Sequence, residues 1–367
     1  MAKIVSLVSN LFKLPLDEIL VDAKHGEHTH FELLTVTIKL DNGLIGTGYT
    51  YTGGRGGTSI RAMIDHEIKP FLLDKDGYEI ESINQELQWH LHYVGRGGIA
   101  SFAISAIDIA LWDIRGKKLN LPLWKMAGGS GNKCLAYCGG IDLNFSLPKL
   151  LQSIRGYINR GVIGVKIKVG QKNLINDIQR VKEVRKLIGP KTKLMVDANY
   201  SMTVKQAIEA AQAFKEFNIL WFEEPTEPDD YFGYAKIAET SNVPIAMGEN
   251  LHTMHEFNHA LKYSKLSFIQ PDASNCGGIT CWLKVAKKAK SLKINISSHG
   301  IQELHVSLVS GKTKLGWIEM HSFPIETYTM RPVQLENGFA IAPDVEGIGV
   351  DFDWNKLQES STCKSLK

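Results

Sequence analysis

GVKIKVG (164–170), KLMVDAN (193–199), ILWFEEP (219–225), PIAMGEN (244–250), SFIQPDA (267–273), INISSHG (294–300) and GWIEMH (316–321) share one plan: a short apolar run that ends in charged or polar residues. With CLAYCGGID (134–142) ahead of them they make eight candidate strands. From Lys166 onward their terminal polar residues recur every 20–31 residues, which leaves room for one helix and two loops each time. Alternating strand and helix units with apolar strands indicate a parallel sheet covered on both faces. Eight such units indicate an α/β fold of the (β/α)8-barrel type. A doubly wound open sheet is the alternative, but no Gly-x-Gly-x-x-Gly turn follows the first strand.

Upstream the texture is α+β. LLTVTIKL (33–40) and LIGTGYTYT (44–52) read as strands on either side of an Asp41-Asn42-Gly43 turn, and a helical stretch begins near Ser59. ASFAISAIDIALWDIRGKKL (100–119) carries Phe102, Ile104, Ile107, Leu111 and Ile114 close to a 3.6-residue period, with a stop at Arg115 to Lys118. The chain therefore divides into an α+β cap over 1–130, a barrel over 131–323, a segment over 324–358 that returns to the cap, and a polar, disordered tail over 359–367.

At 367 residues, 44% hydrophobic and 22% charged, the chain cannot be a disordered one. Forty-two basic against 39 acidic residues, a net +3, give no reason to expect a nucleic-acid partner. The basic stretch KVAKKAKSLK (284–293) falls where a barrel helix is due and reads as its solvated face. Asn10, Lys13, Pro15 and Asp17 interrupt any export signal, and no run reaches the ~18 apolar residues of a membrane span. Five cysteines (Cys134, Cys138, Cys276, Cys281, Cys363) outside any disulfide spacing suit reduced thiols and a cytoplasmic location.

In such a barrel the C-terminal ends of the strands converge on one mouth. Lys166, Lys168, Asp197, Glu223, Glu249, Asp272, His299 and Glu319 are thus expected to meet there. Singly, each has an ordinary explanation, since an Asp after a strand caps the next helix and a Lys is solvated. Together they would be costly without a cation. Asp197, Glu223 and Glu249 come from three successive strands and offer the hard oxygen donors that suit Mg²⁺. No Cys or His joins them, which disfavours a structural zinc site. Lys166 and Lys168 share a face of their strand; the alternative, a charge-protected edge strand, has no place in a closed barrel. Their proximity predicts mutually depressed pKa values and one base active near neutral pH. Asp272 would orient the His299 ring and stabilise its charged form; a buried His satisfied by a backbone carbonyl is the plainer reading of His299 alone, but with the lysine pair across the mouth a two-faced proton-transfer site is the more economical one. Glu319, if burial raises its pKa, would donate a hydrogen bond to a carboxylate. The set predicts metal-assisted removal of a proton α to a carboxylate, a stabilised enediolate, and completion by a facing acid.

Lys166-Ile-Lys168, the trio within VDAN, WFEEP and MGEN, and the Asp272/His299 pair resemble the mandelate racemase subgroup of the enolase superfamily, over essentially the whole chain. The resemblance implies that superfamily's modified (β/α)8-type barrel under an N-terminal α+β capping domain, with Mg²⁺ as cofactor. It implies Lys168 as base with Lys166 as its electrostatic partner, His299 with Asp272 on the opposite face, Glu319 binding the substrate carboxylate, and Asn199 in support. Substrate choice would fall to two cap loops, DAKHGEHTHFE (22–32), with Asp22, Lys24, His25, His28 and His30, and YTYTGGRGG (49–57), with Tyr49, Tyr51 and Arg55. The first reads equally as a solvated, charged loop or a functional one, and the Gly-rich second as a flexible lid or a turn with no ligand role. Their polar character favours a polyhydroxylated sugar acid held by Asp22, Lys24, His25, Tyr51, Arg55 and Asn199. Three outcomes stay open: ring-opening isomerisation of an anhydro sugar acid, which is preferred, dehydration, and racemisation or epimerisation. A non-catalytic sugar-acid-binding barrel would need neither lysine nor His299. The partners expected are a small-molecule sugar acid and further copies of the chain in a homo-oligomer, with no nucleic acid and no membrane.

Overall fold

The structure, a computed structural model, describes residues 1–312 and 316–362. The cap is built on an antiparallel sheet of β1 (Ile4–Asp22), β2 (Gly26–Leu40) and β3 (Ile45–Thr52). β1 has no counterpart in the sequence reading, because its apolar residues are broken by Pro15 and Asp17. The strand tolerates them through an irregularity between Pro15 and Leu20, where the pairing to β2 shifts register. The stretch 22–32, expected as a loop, is the end of β1 and the first half of β2 joined at Ala23-Lys24-His25. Its inward face carries Asp22 and His28 rather than aliphatic residues, so its composition mimics a loop.

The helix Ile99–Leu119 lies against β3, ends one residue after the expected stop, and is capped by Asn120, which takes a left-handed φ of 52°. Gly46 and Gly48 permit this close approach. A Cβ would lie 2.2 Å from the Ala110 carbonyl oxygen at Gly46 and 2.0 Å from that of Ala106 at Gly48.

The barrel strands are β4 (Lys133–Gly139), β5 (Gly164–Lys168), β6 (Lys193–Asp197), β7 (Phe222–Glu223), β8 (Ile245–Met247), β9 (Phe268–Ile269), β10 (Asn295–Ile296) and β11 (Trp317–His321). They pair in parallel in chain order, β11 pairs with β4, and a bridge from Ser297 to Trp317 closes the ring. All eight expected strands are present. Two short strands follow, β12 (Gln334–Glu336) and β13 (Phe339–Ile341), and β13 joins the first residues of β4. The helix Trp354–Thr362 then packs on β1, with the Phe12 and Trp354 rings 6.4 Å apart. Residues 359–362, expected as disordered tail, thus form the end of this helix; residues 363–367, with Cys363, lie outside the described residues.

Inside the barrel Tyr137, Met195, Trp221, Ala246, Phe268 and Trp317 form a separate apolar cluster. Side chains two positions apart on a strand face the same way. Directly above Tyr137, Met195, Trp221, Phe268 and Trp317 therefore come Gly139, Asp197, Glu223, Gln270 and Glu319. The apolar plug is the floor of a polar mouth. Among the described residues no helix is long and apolar enough to cross a membrane.

Gly48→Ala should lower the thermal midpoint, because overpacking of this kind costs about 1–3 kcal/mol. Gly131→Ala, whose added methyl meets nothing within 4 Å, should stay within about 0.5 kcal/mol of wild type. Equal melting of the two variants would contradict the close-approach account.

Candidate active site

Asp197 ends β6, Glu223 ends β7, and Glu249 follows β8, so three adjacent strands deliver three carboxylates whose donor oxygens lie within 4.8 Å of one another. Two of them are held in place by protein donors. The Asn199 backbone N–H donates to Asp197 Oδ1 at 2.9 Å, while Trp221 Nε1 and Gln270 Nε2 donate to Glu223 Oε2 at 2.8 and 2.9 Å. An all-oxygen, hard donor set of this kind fits a small divalent cation that keeps positions for water or substrate.

Lys166 and Lys168 both point inward from β5 and are buried. Lys166 Nζ lies 2.5 Å from Glu223 Oε1, 2.8 Å from Glu319 Oε1 and 3.5 Å from Asp197 Oδ2; Lys168 Nζ lies 2.5 Å from Asp197 Oδ2. The expected mutual depression of the two lysines is overturned. Burial and the neighbouring ammonium do act to lower Lys168, but Asp197, Glu249 and Glu223 outweigh them. Burial likewise opposes the charge on Lys166, and Glu223 and Glu319 outweigh it, so both lysines stay above their ordinary value. Glu319 also departs from expectation. Burial alone would raise it, yet Lys166 holds it down to about 2. An ionised carboxylate accepts hydrogen bonds and cannot donate one. Gly139 opposite has no room for a side chain, since a Cβ would lie 2.6 Å from Glu319 Oε1.

His299 Nδ1 lies 3.1 Å from Asp272 Oδ2, and its Nε2 lies 3.4 Å from Glu249 Oε2. Burial disfavours the imidazolium, but Glu249 and Asp272 raise His299 to about 9, so the expected stabilisation of its charged form is present. Asp272 itself is fully buried, yet His299 and its other donors keep it below the usual range. Ser274 donates twice to Asp272 Oδ1, and the cap supplies a further donor, Tyr51 OH at 3.0 Å from Asp272 Oδ2.

A cavity of about 530 Å³ opens over this mouth, with Lys168, Glu249 and His299 in its walls. Asp22, Lys24, His25, Tyr51, Arg55 and Asn199 all border it, so the structure brings every expected substrate-side residue to the site. Several already have partners. Asp22 Oδ2 lies 2.9 Å from both His25 Nδ1 and His28 Nε2, His25 Nε2 meets the Tyr200 hydroxyl at 2.5 Å, and Lys24 pairs with Glu227 at 2.8 Å. The hairpin tip is thus stitched to the segments that follow β6 and β7. A larger cleft of about 800 Å³ beside Trp112 and Lys287 contains none of these groups, and the chemistry places the site at the smaller one.

Sequence reasoning missed His321, Phe31 and Phe323, which also line the cavity. His321 had a signal: Glu319-Met-His321 repeats the alternate spacing of Lys166-Ile-Lys168. The two phenylalanines had none. The rings of Phe31, Tyr51 and Phe323 stand 4.6–6.2 Å apart and form an aromatic wall. The polar cap loops expected from the sequence are thus joined by an apolar face.

These features define an enolase-type barrel with a cap that completes its mouth. The N-terminal domain of the mandelate racemase / muconate lactonizing enzyme type matches residues 21–128, and the enolase C-terminal-domain-like model matches residues 149–356. The chain belongs to this family. It is 41% identical to 3,6-anhydro-alpha-L-galactonate cycloisomerase of Streptomyces coelicolor, over 95% of this chain and 97% of that protein. It is 33% identical to L-talarate/galactarate dehydratase of Salmonella typhimurium, over 92% and 84% of the two chains. Among solved structures, a racemase from Streptomyces coelicolor A3(2) with bound magnesium superposes with a TM-score of 0.95 at 40% identity, covering 98% of this chain and all of that one. The Salmonella typhimurium LT2 L-talarate/galactarate dehydratase, liganded with Mg and L-lyxarohydroxamate, superposes at 0.93 and 30% identity, covering 99% and 93%.

Asp197→Asn and Glu223→Gln should each weaken Mg²⁺ binding at least 10-fold in calorimetric titration, on the order of 1.4 kcal/mol. Lys24→Ala, at the cavity rim, should leave it unchanged. Undiminished Mg²⁺ binding by both carboxylate variants would remove the trio from consideration as the metal site.

Proposed function

We propose that the protein is a magnesium-dependent isomerase that opens the ring of 3,6-anhydro-L-galactonate to give 2-keto-3-deoxy-L-galactonate. The observation that carries this reading is the two-faced cavity: Lys168 and His299, the latter paired with Asp272, border one space beside a carboxylate trio. The identity to the Streptomyces coelicolor cycloisomerase over nearly both full lengths supports the choice of substrate.

Asp197, Glu223 and Glu249 would hold Mg²⁺, which when bound supplies the positive charge that polarises a substrate carboxylate. With the charges of Asp197, Glu249 and Glu223 taken up by the cation, Lys168 would lose the interactions that hold it protonated and, as the free amine, would take the C2 proton, while Lys166 keeps positive charge beside the developing enediolate. The C3–O bond then breaks, and the ring oxygen, still attached through C6, takes its proton from the His299 imidazolium. The enol becomes the 2-keto acid when C3 takes up a proton. Because the leaving oxygen stays in the molecule, substrate and product have equal mass. Glu319, as a carboxylate, accepts from a substrate hydroxyl. The buried free thiols of Cys134, Cys138, Cys276 and Cys281 support a reducing, cytoplasmic setting. The exposed Trp89, Tyr93 and Val94 support a homo-oligomer.

Incubation with Mg²⁺ and a panel of aldonates, aldarates and anhydro acids should yield a 2-keto-3-deoxy product of unchanged mass from the anhydro acid. Loss of one water from an open-chain acid, with no reaction of the anhydro acid, would make it a dehydratase instead. Lys168→Ala should abolish exchange of the C2 proton with solvent deuterium, while His299→Asn should retain exchange and lose ring opening. The reverse pattern would exchange the two roles.

A further inference from the structure

Two buried histidines of the barrel differ in one respect. His305, fully buried, satisfies both ring nitrogens with backbone groups: Nδ1 contacts the Gly300 carbonyl oxygen at 2.9 Å, and Nε2 accepts from the Ala273 N–H at 2.9 Å. That is how a histidine with a packing role is finished. His321 is 6% exposed, and neither of its ring nitrogens has a hydrogen-bond partner among the described residues. Its Nδ1 is sealed from solvent, and the residue lines the cavity. Nδ1 is unsatisfied in either tautomer, so Nε2 is the ring nitrogen that a ligand in the cavity can meet, and the tautomer with its proton on Nε2 presents an N–H there.

The position of this N–H follows from the neighbours. His321 lies two residues beyond Glu319 on β11 and faces the mouth. Its ring lies 3.6 Å from that of Phe323 and 5.8 Å from that of His299, centroid to centroid. Phe323 fixes the imidazole, and His299 shares its side of the cavity. Burial first, and against the raising pull of Glu319 the positive charges of His299, Lys168 and Lys166, keep the ring well below its ordinary pKa.

We infer that His321 is a substrate-contacting residue whose Nε2–H hydrogen-bonds the departing β-oxygen, with Phe31, Tyr51 and Phe323 packing the C–H edge of the ring that carries it. This rests on the function proposed above. In the elimination the C3–O electron pair passes to the oxygen, His299 supplies the proton, and His321 keeps its own proton and steadies the developing negative charge. An aromatic wall with a donor beside it suits the C–H face and the ether oxygen of a cyclic substrate, and the polar groups elsewhere on the cavity wall are left for its hydroxyls.

The test compares His321→Phe, which keeps a ring and removes the donor, with His321→Gln, which restores an N–H in place of Nε2. Each is assayed with Mg²⁺ and the anhydro acid for product formation and for exchange of the C2 proton in deuterated water. His321→Phe should lose about 10- to 100-fold in product formation, as for loss of a hydrogen bond to a charged group, while exchange persists, and His321→Gln should recover part of the loss. If the phenylalanine variant does not fold, His321→Met makes the same comparison. Parallel loss of exchange and product, no loss at all, or no recovery with glutamine would overturn the inference. Should the wild type instead expel water from an open-chain acid, the proposed substrate fails, and the same two readouts on that acid still decide the role of His321.

Discussion

Lys166 Nζ, on a residue 1% exposed, has Glu223, Glu319 and Asp197 within 3.5 Å. A buried ammonium left without partners would cost several kcal/mol, and so would each of these carboxylates. The four residues come from β5, β6, β7 and β11, so their charges balance only when the barrel is closed and its strands are in register. The layer beneath has the same dependence, because Trp221 belongs to the apolar plug and also donates to Glu223. Gly139 belongs to this constraint as well, since any side chain there would displace Glu319. Folding of the barrel and assembly of its charged mouth are one event.

The cap is coupled to the same chemistry through few contacts. Tyr51 donates to Asp272, which pairs with His299, so the His299 side of the mouth is completed by the cap. Close by, Asn84 donates to Asp108 and to the Gly277 carbonyl oxygen, and Asp108 accepts from the Thr280 N–H. Burial pushes Asp108 up to about 7 against those donors. On the other side the tip of the β1–β2 hairpin meets Tyr200 and Glu227, in segments that follow metal-side strands. Each wall of the cavity therefore includes groups from both parts of the chain.

Much of this was legible in the residues alone. The recurring strand ends predicted the barrel, and Asp197, Glu223, Glu249, Lys166, Lys168, Asp272, His299 and Glu319 do converge. The inward direction of the lysine pair also follows from the chain, because alternation along a strand is a local rule. The same rule extends to Glu319 and His321, where it was applied to only one of the two. β1 escaped notice because Pro15 and Asp17 break its pattern and a local irregularity in pairing repairs it. The hairpin over 22–32 escaped because a strand that buries Asp22 and His28 has the composition of a loop.

What the sequence by itself determined is which side chains face the mouth: side-chain direction repeats every two residues and needs no knowledge of distant segments. What the tertiary structure alone decided is what those side chains experience. Phe31 and Phe323 lie near opposite ends of the chain, and only the docking of the cap turns them into one wall. Lys168 sits beside Lys166, yet its charge state follows Asp197 on the next strand at 2.5 Å. Coulomb energy depends on separation in space and on the dielectric around the pair, and neither can be read from spacing along the chain.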